Sequence, residues 1–289
     1  MDTGKLGVWY FFDGVDSATA AESARRIESL GYGTLWLPET VGKSPVALAS
    51  WMLASTSTLN LATGIINIYH REPGVTMAAQ KTLAEQSGGR FLLGMGVSHK
   101  PLVEGVRGLE YGPPVATMRK YLEAMNAAPY TAVQPTEAPP IVIAALGPKM
   151  LELAASHCTG AHPYFTSPEH TAMAREIMGP DAWLCVEQKV ILETDATKAR
   201  DLARPVAKIY NRLPNYRNNW FRMGLTEDDA DNLTDKFIDT TYAWGTVDAI
   251  KDRIQQHFDA GASHVCIQPV NTNNQFGDLH WECLEALAP

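Results

Sequence analysis

Three of the eight histidines stand at one recurring place. His70, His99 and His162 lie at or just past the ends of short apolar runs, which are Leu59–Ile68, Phe91–Met95 and Gly160–His162. Glu39 follows Thr34–Leu37 in the same way, and Arg71 adjoins His70. An imidazole near neutral pH gives or takes a proton at little cost. Imidazole, carboxylate and guanidinium at matching ends of apolar runs suit a site that handles protons beside a polar or anionic ligand. His99 and His162 are the first candidates for that work, with His70 and Glu39 behind them. Each also has a structural reading: solvated loop for His70, helix cap for His99, ion pair for Glu39 and Arg71.

Small residues mark several of the same ends. Gly64, Gly96, Ala145 and Gly147 let backbone come close to a flat ring or a phosphate. Gly147-Pro148 opens a helical run and can offer backbone N–H groups to an anion, with Lys149 beside it, although Pro148 itself supplies none. Familiar motifs fail nearby. Gly94-Met95-Gly96-Val97-Ser98-His99 lacks the third glycine of a dinucleotide fingerprint. Gly96-Val97-Ser98-His99-Lys100 lacks the closing glycine of a nucleophile elbow. The spacings of His157, His162 and His170 do not set two of them on one helical face, so no metal site is expected.

Strands and helices that would carry these residues alternate along the chain. The predicted strands are Leu6–Phe12, Thr34–Leu37, Leu59–Ile68, Phe91–Met95, Ile141–Ala144, Gly160–His162, Trp183–Leu192 and Ser263–Gln268. Helical periodicity fills the gaps at Ser17–Leu30, Ala47–Ser55, Val75–Ser87, Val115–Ala127, Lys149–Ser156, Pro168–Met178 and Val247–Ala260. Strands separated by helices pair in parallel. Eight such units over about 250 residues predict a closed (β/α)₈ TIM barrel, with a doubly wound open sheet as the alternative. A barrel requires Leu6–Phe12 and Ser263–Gln268 to be neighbours. The helical stretch Ala196–Thr240, broken at Pro214, is too long for one crossover and predicts an insertion before the last helix–strand unit. No second domain is evident in 1–289.

Bulk properties exclude other classes. A chain of 289 residues with 45% apolar and 19% charged residues can bury a large core. A net charge of -8 with scattered basic residues argues against nucleic acid and anionic membranes as partners. Cys158, Cys185, Cys266 and Cys283 form no C-x-x-C pair and read as buried thiols of a reducing compartment. The first residues do not resemble a secretion signal, and no apolar run has transmembrane length, so a cytoplasmic enzyme is expected.

One stretch is more specific than any of these. Leu61-Ala62-Thr63-Gly64-Ile65, Arg71-x-Pro73, Thr82-Leu83 and then Ser87-Gly88-Gly89-Arg90-Phe91-x-Leu93-Gly94-x-Gly96 resembles the bacterial luciferase-like monooxygenases. Leu30-Gly31-Tyr32-x-x-Leu35-Trp36 and Ala260-Gly261-Ala262-x-His264-Val265 extend the likeness over most of the chain, with Asn211–Tyr242 the weakest part. Three segments resemble the family's coenzyme F420-dependent branch more narrowly. They are Gly96-Val97-Ser98-His99, Ala145-Leu146-Gly147-Pro148-Lys149-Met150 and Gly160-Ala161-His162-Pro163-Tyr164. The family's sugar-phosphate dehydrogenases carry an Asp-His pair where this chain has Glu39-Thr40, so their substrate does not transfer.

The resemblance implies a bound cofactor, coenzyme F420 for hydride transfer or, alternatively, reduced FMN for oxygen-dependent monooxygenation. It implies cofactor contacts at Gly64, Ile65, Gly96, Val97, Ser98, Ala145, Leu146, Gly147 and Lys149. It also implies a non-proline cis peptide at Gly64-Ile65 or one bond away. Lys100, Arg107 and Lys149 are candidates to line the exit for the acidic tail of F420. The expected partner is a small-molecule substrate, with homodimerisation open. Two further readings remain at this point: a non-catalytic flavin-binding barrel, and a cofactor-free hydrolase built on Ser98 beside His99.

Overall fold

The computed structural model describes residues 1–270 and 278–289. Its first half alternates β1 (Leu6–Trp9), α1 (Ser17–Ser29), β2 (Thr34–Leu37), α2 (Pro45–Ser55), β3 (Asn60–Thr63), β4 (Ile66–Asn67), α3 (Pro73–Gln86), β5 (Phe91–Gly96) and α4 (Pro114–Ala127). Next come β6 (Ile141–Ile143), α5 (Pro148–His157), β7 (Gly160–Ala161), α6 (Pro168–Met178) and β8 (Trp183–Ile191). The insertion holds α7 (Ala196–Tyr210), α8 (Pro214–Arg222), α9 (Glu227–Asn232) and α10 (Asp235–Thr241). The chain ends with β9 (Tyr242–Trp244), α11 (Val247–Asp259), β10 (His264–Pro269) and α12 (Trp281–Ala286).

Every strand pairing is parallel, and the sheet closes on itself. β10 pairs with β1 at Leu6–Val265 and with β8 at Val265–Val186, so the first and last predicted strands are neighbours. The closed order is β10-β1-β2-β3-β5-β6-β7-β8. β4 resumes the path of β3 beyond a cis peptide at Gly64-Ile65 and pairs with β5. β9 adds to β8 outside the ring. The molecule is an α/β barrel.

Alternation along the strands explains the layers. Val8, Leu35, Leu61, Leu93, Ile143 and Val265 face outward into one core with the helices. Their neighbours Trp9, Trp36, Ala62, Leu92, Val142 and Cys266 fill the barrel interior, wide rings beside small side chains.

Prolines open α2, α3, α4 and α5 one or two residues earlier than periodicity placed them, because proline suits a first helical turn, where its missing N–H is no loss. The stretch Ala196–Thr240 proves to be four helices rather than one broken helix. A left-handed Leu233 ends α9, and Thr226 and Thr234 cap the short helices. α12, β9 and a π-helical turn at Pro101–Val106 have no counterpart in the sequence reading.

Candidate functional site

A cavity of about 770 Å³ opens at the C-terminal ends of the strands. Its inner wall is made by Trp9, Gly64, Ile65, Ala144 and His162. The chain bend between β3 and β4 brings Gly64 there, and only a residue without Cβ fits. A Cβ on Gly64 would stand 2.6 Å from Trp9 Nε1 and 3.1 Å from His162 Nε2. Trp9 Nε1 instead donates to the Gly64 carbonyl at 2.8 Å. Gly96 is equally constrained, since its Cβ would meet Ile65 Cδ1 at 2.6 Å and Ala144 Cβ at 3.2 Å.

His162 is 1% exposed and stacks on Trp36 at 4.3 Å between ring centroids. Its Nδ1 lies 2.8 Å from the Cys185 carbonyl, which can only accept, so Nδ1 carries the proton. Nε2 is then a lone-pair acceptor, and it has no partner. Burial drives the imidazole pKa down to about 4. His162 is thus a fixed neutral acceptor on the cavity wall. Held so, it suits accepting a hydrogen bond better than exchanging protons near neutral pH.

The other charged candidates form one cluster. Glu39 takes a bidentate pair from Arg71, at 2.8 Å and 2.5 Å, and a bond from the Asn67 N–H at 2.8 Å. His70 Nδ1 lies 3.3 Å from the same carboxylate, and its Nε2 lies 3.0 Å from Asn67 Nδ2. Although burial opposes it, Arg71 and the Asn67 N–H hold the Glu39 pKa below the usual carboxylate value. Glu39 reaches the cavity wall, but its oxygens are committed, and His70 stands behind it rather than on the wall. The cluster braces the loops after β2 and β4, and a proton-carrying role for Glu39 or His70 does not fit it.

His99 does line the cavity, half-buried, with Nδ1 3.1 Å from Asn215 Oδ1 and its ring 5.4 Å from Tyr216. Burial lowers its pKa. Ser98 lines the cavity in a left-handed conformation, φ 55°. Val97 packs outward into the helix layer. Of the residues expected after β6, none lines this cavity, and their neighbour Ala144 does. Ala144 is on the wall, whereas Ala145 faces the outer core and Leu146 and Gly147 lie beyond it. Side chains alternate along a strand, so Val142 and Ala144 point inward together. Lys149 is exposed on α5, Lys100 pairs loosely with Glu104 at 3.7 Å, and Arg107 donates to the Thr40 carbonyl at the cavity mouth.

Several important residues were not singled out by sequence reasoning. Tyr164, Tyr210, Tyr216 and Gln268 line the cavity. Under them lies a fully buried pair, Lys189 Nζ 3.2 Å from both oxygens of Glu187. Lys189 Nζ also sits 3.7 Å from the Tyr164 ring centre and 3.9 Å from that of Phe165. Glu187 accepts from the Phe165 N–H at 2.9 Å, where the backbone is left-handed, φ 62°. The pair therefore fixes the turn that presents Tyr164. The only available signal was an unusual pair of charges inside an apolar strand.

At the start of α6 a second group of buried polar atoms lacks partners: Thr166 Oγ1, Ser167 Oγ and His170 Nδ1. His170 Nε2 bonds the Leu146 carbonyl at 2.9 Å, which leaves Nδ1 as the acceptor. Arg222 of α8 reaches the start of α5, with Nη2 3.5 Å from where a Gly147 Cβ would be. Two hydroxyls, a helix N-terminus and a nearby guanidinium suit a phosphate.

The family model described as luciferase-like monooxygenase matches residues 12–264. The chain belongs to this family. Among curated relatives of this luciferase-like protein, a Mycobacterium tuberculosis protein carrying a provisional coenzyme F420-dependent oxidoreductase name is 24% identical, over 86% of this chain and 89% of its own. Two solved structures share the fold. One is an F420-dependent secondary alcohol dehydrogenase in complex with an F420-acetone adduct, with TM-score 0.76, 16% identity and 99% of both chains covered. The other is the oxygenating constituent of 3,6-diketocamphane monooxygenase of Pseudomonas putida in complex with FMN, with TM-score 0.74, 15% identity, and 98% and 96% covered. The luciferase-like chain fits a cofactor with a flat ring and a phosphate. It has a cavity wall of Trp9, Gly64, Ile65 and Ala144, an orphaned acceptor on His162 in that wall, and unpartnered hydroxyls at the α6 N-terminus.

Proposed function

We propose that this protein exchanges a hydride between coenzyme F420 and a small organic substrate. The observation that carries the reading is the unpartnered Nε2 of His162, set beside the Gly64 edge in the wall of the large cavity. A buried acceptor left without a partner costs about 1–3 kcal/mol, and a ring N–H from a bound ligand would remove that cost. The F420 name of the Mycobacterium tuberculosis relative favours the deazaflavin over FMN.

When bound, the deazaflavin supplies the hydride chemistry. The residues of this chain supply the rest. Trp9, Gly64, Ile65 and Ala144 bound a slot for the ring and exclude water from one side. His162 accepts a hydrogen bond at Nε2 and stays neutral while it does so. Thr166, Ser167 and the α6 N-terminus would hold the cofactor's phosphate, with Arg222 near Gly147 as the neighbouring cation. Ser98 and His99 border the opening, with Arg107 and Lys100 on the segment that follows them and Lys149 in the first turn of α5, open to an acidic tail.

Titration with F420 and with FMN at low and high salt tests the choice. Tight F420 binding that weakens with salt is expected, because exposed ion pairs are screened over about 10 Å at 0.1 M. Tight FMN binding with no F420 binding overturns it. That outcome supports the second reading, FMN-dependent monooxygenation, to which the FMN-bound fold relative lends weight.

A further inference from the structure

Away from Gly64 the cavity wall changes character. Val41, Val206, Ile209, Leu213 and Val270 make it apolar, and Val41 and Ile209 remain exposed at its mouth. Among the described residues no lysine or arginine lines the cavity. Its two carboxylates are already engaged, Glu39 by Arg71 and Asp13 by the Lys43 N–H at 2.6 Å. Burial keeps the imidazoles of His99 and His162 toward their neutral forms. An anionic substrate would leave water for a wall that offers it no cation, which is costly.

One polar feature interrupts this surface. Tyr164 Oη donates to Gln268 Oε1 at 2.9 Å, and Tyr164 Oη and Tyr210 Oη are 2.9 Å apart. A phenol has a single proton. With the Tyr164 proton on Gln268, Tyr210 must donate to Tyr164, which leaves the Tyr210 oxygen with free lone pairs. Turning the Gln268 amide over reverses the chain: Nε2 donates to Tyr164, Tyr164 donates to Tyr210, and the Tyr210 proton becomes free. Tyr164 itself is held in place by Trp9 at 5.0 Å and by Lys189 at 3.7 Å. Tyr210 is the half-buried, solvent-side member.

We propose that this end of the cavity takes a neutral, mainly apolar molecule bearing one hydroxyl or carbonyl oxygen, and that Tyr210 holds that oxygen. The chain accepts from a hydroxyl in one setting and donates to a carbonyl in the other. One residue thereby serves both members of an alcohol–carbonyl pair. The assignment rests on the deazaflavin reading in that the Gly64 side of the cavity is left to the ring.

The test uses four probes of one shape: cyclohexanol, cyclohexanone, methylcyclohexane and cyclohexanecarboxylate. Affinities are measured by calorimetry on the full chain, with and without F420. Cyclohexanol and cyclohexanone are expected to bind at least about tenfold more tightly than the carboxylate. In Tyr210→Phe both oxygenated probes should weaken about tenfold, as for one lost hydrogen bond, while methylcyclohexane and F420 are unchanged. Equal binding of the carboxylate, no binding of any probe, or a Tyr210→Phe effect that is absent or the same for all probes overturns the inference. The wild-type comparison decides the substrate class even if that variant does not fold. F420 binding in the same samples is a separate readout. Its loss with the probe pattern intact overturns the cofactor choice alone, and a lost pattern with F420 bound overturns the substrate class alone.

Discussion

At the scale of single residues, the decisive fact is which nitrogen of His162 carries the proton. The sequence places an imidazole at a strand end, but tautomer and pKa come from the Cys185 carbonyl and from burial against Trp36. A group with its pKa near 4 cannot impose an inflection near neutrality. His162→Ala is therefore expected to weaken F420 binding about tenfold, the worth of one hydrogen bond. The ratio of mutant to wild-type affinity should stay constant from pH 6 to pH 8. An inflection in that ratio, measured by titration across the range, would restore His162 as a proton carrier. Glu39 is a second case. Arg71→Met leaves a buried carboxylate without its cation and should cost about 3 kcal/mol in urea denaturation, whereas a catalytic Glu39 would show mainly in rate.

At the scale of elements, β8 and the β3–β4 bend decide how the site is held. Lys189 and Glu187 alternate inward on β8, and burial pushes each toward its neutral form while their mutual attraction opposes this. Lys189→Met is expected to destabilise the fold by about 3–5 kcal/mol, because it strands Glu187. Adding Glu187→Gln should restore much of that loss. A double-mutant cycle by denaturation checks it, and additive single effects would refute the coupling. At the bend, Gly64→Ala places a methyl against Trp9 and His162. F420 affinity should fall more than tenfold, because Trp9 and His162, which make the wall against the ring, must move and the Trp9 bond is lost. Unchanged affinity would place the ring elsewhere. The sequence identified Gly64 by its small size. It did not identify Tyr164, because a tyrosine after a strand is ordinary until the barrel brings Tyr210 and Gln268 to it from the insertion and the last strand.

At the scale of the whole molecule, four buried histidines set the acid limit of stability. His162, His170 and His264 have pKa values pushed down to about 4 by burial, and His257 to about 3. The unfolded chain, with histidines near 6.5, binds more protons between those values. Stability must therefore fall as pH drops below about 6.5 and continue to fall toward pH 4. Each histidine contributes about 2 kcal/mol of this loss by pH 5. Thermal melts should show Tm dropping steeply from pH 7 to pH 5, and a flat profile would refute the buried neutral assignments. F420 at a hundred times its Kd should stabilise the fold by about 2.7 kcal/mol at neutral pH.

The order of the eight ring strands, their parallel pairing and the adjacency of Leu6–Phe12 to Ser263–Gln268 were determined by the sequence alone. Those features follow from local periodicity and from glycine and proline punctuation, which are written along the chain. The family, and with it the bend at Gly64-Ile65, was legible for the same reason, since its motifs are contiguous. What each polar group does was decided only by tertiary structure. Whether His162 is acid or acceptor, whether Glu39 is free or paired, and whether Ala144 or Ala145 faces the cavity all depend on atoms distant in sequence. Protonation and hydrogen bonding respond to neighbours within a few ångströms. Closing a barrel supplies such neighbours from β8, the insertion and β10, which no local pattern could bring together.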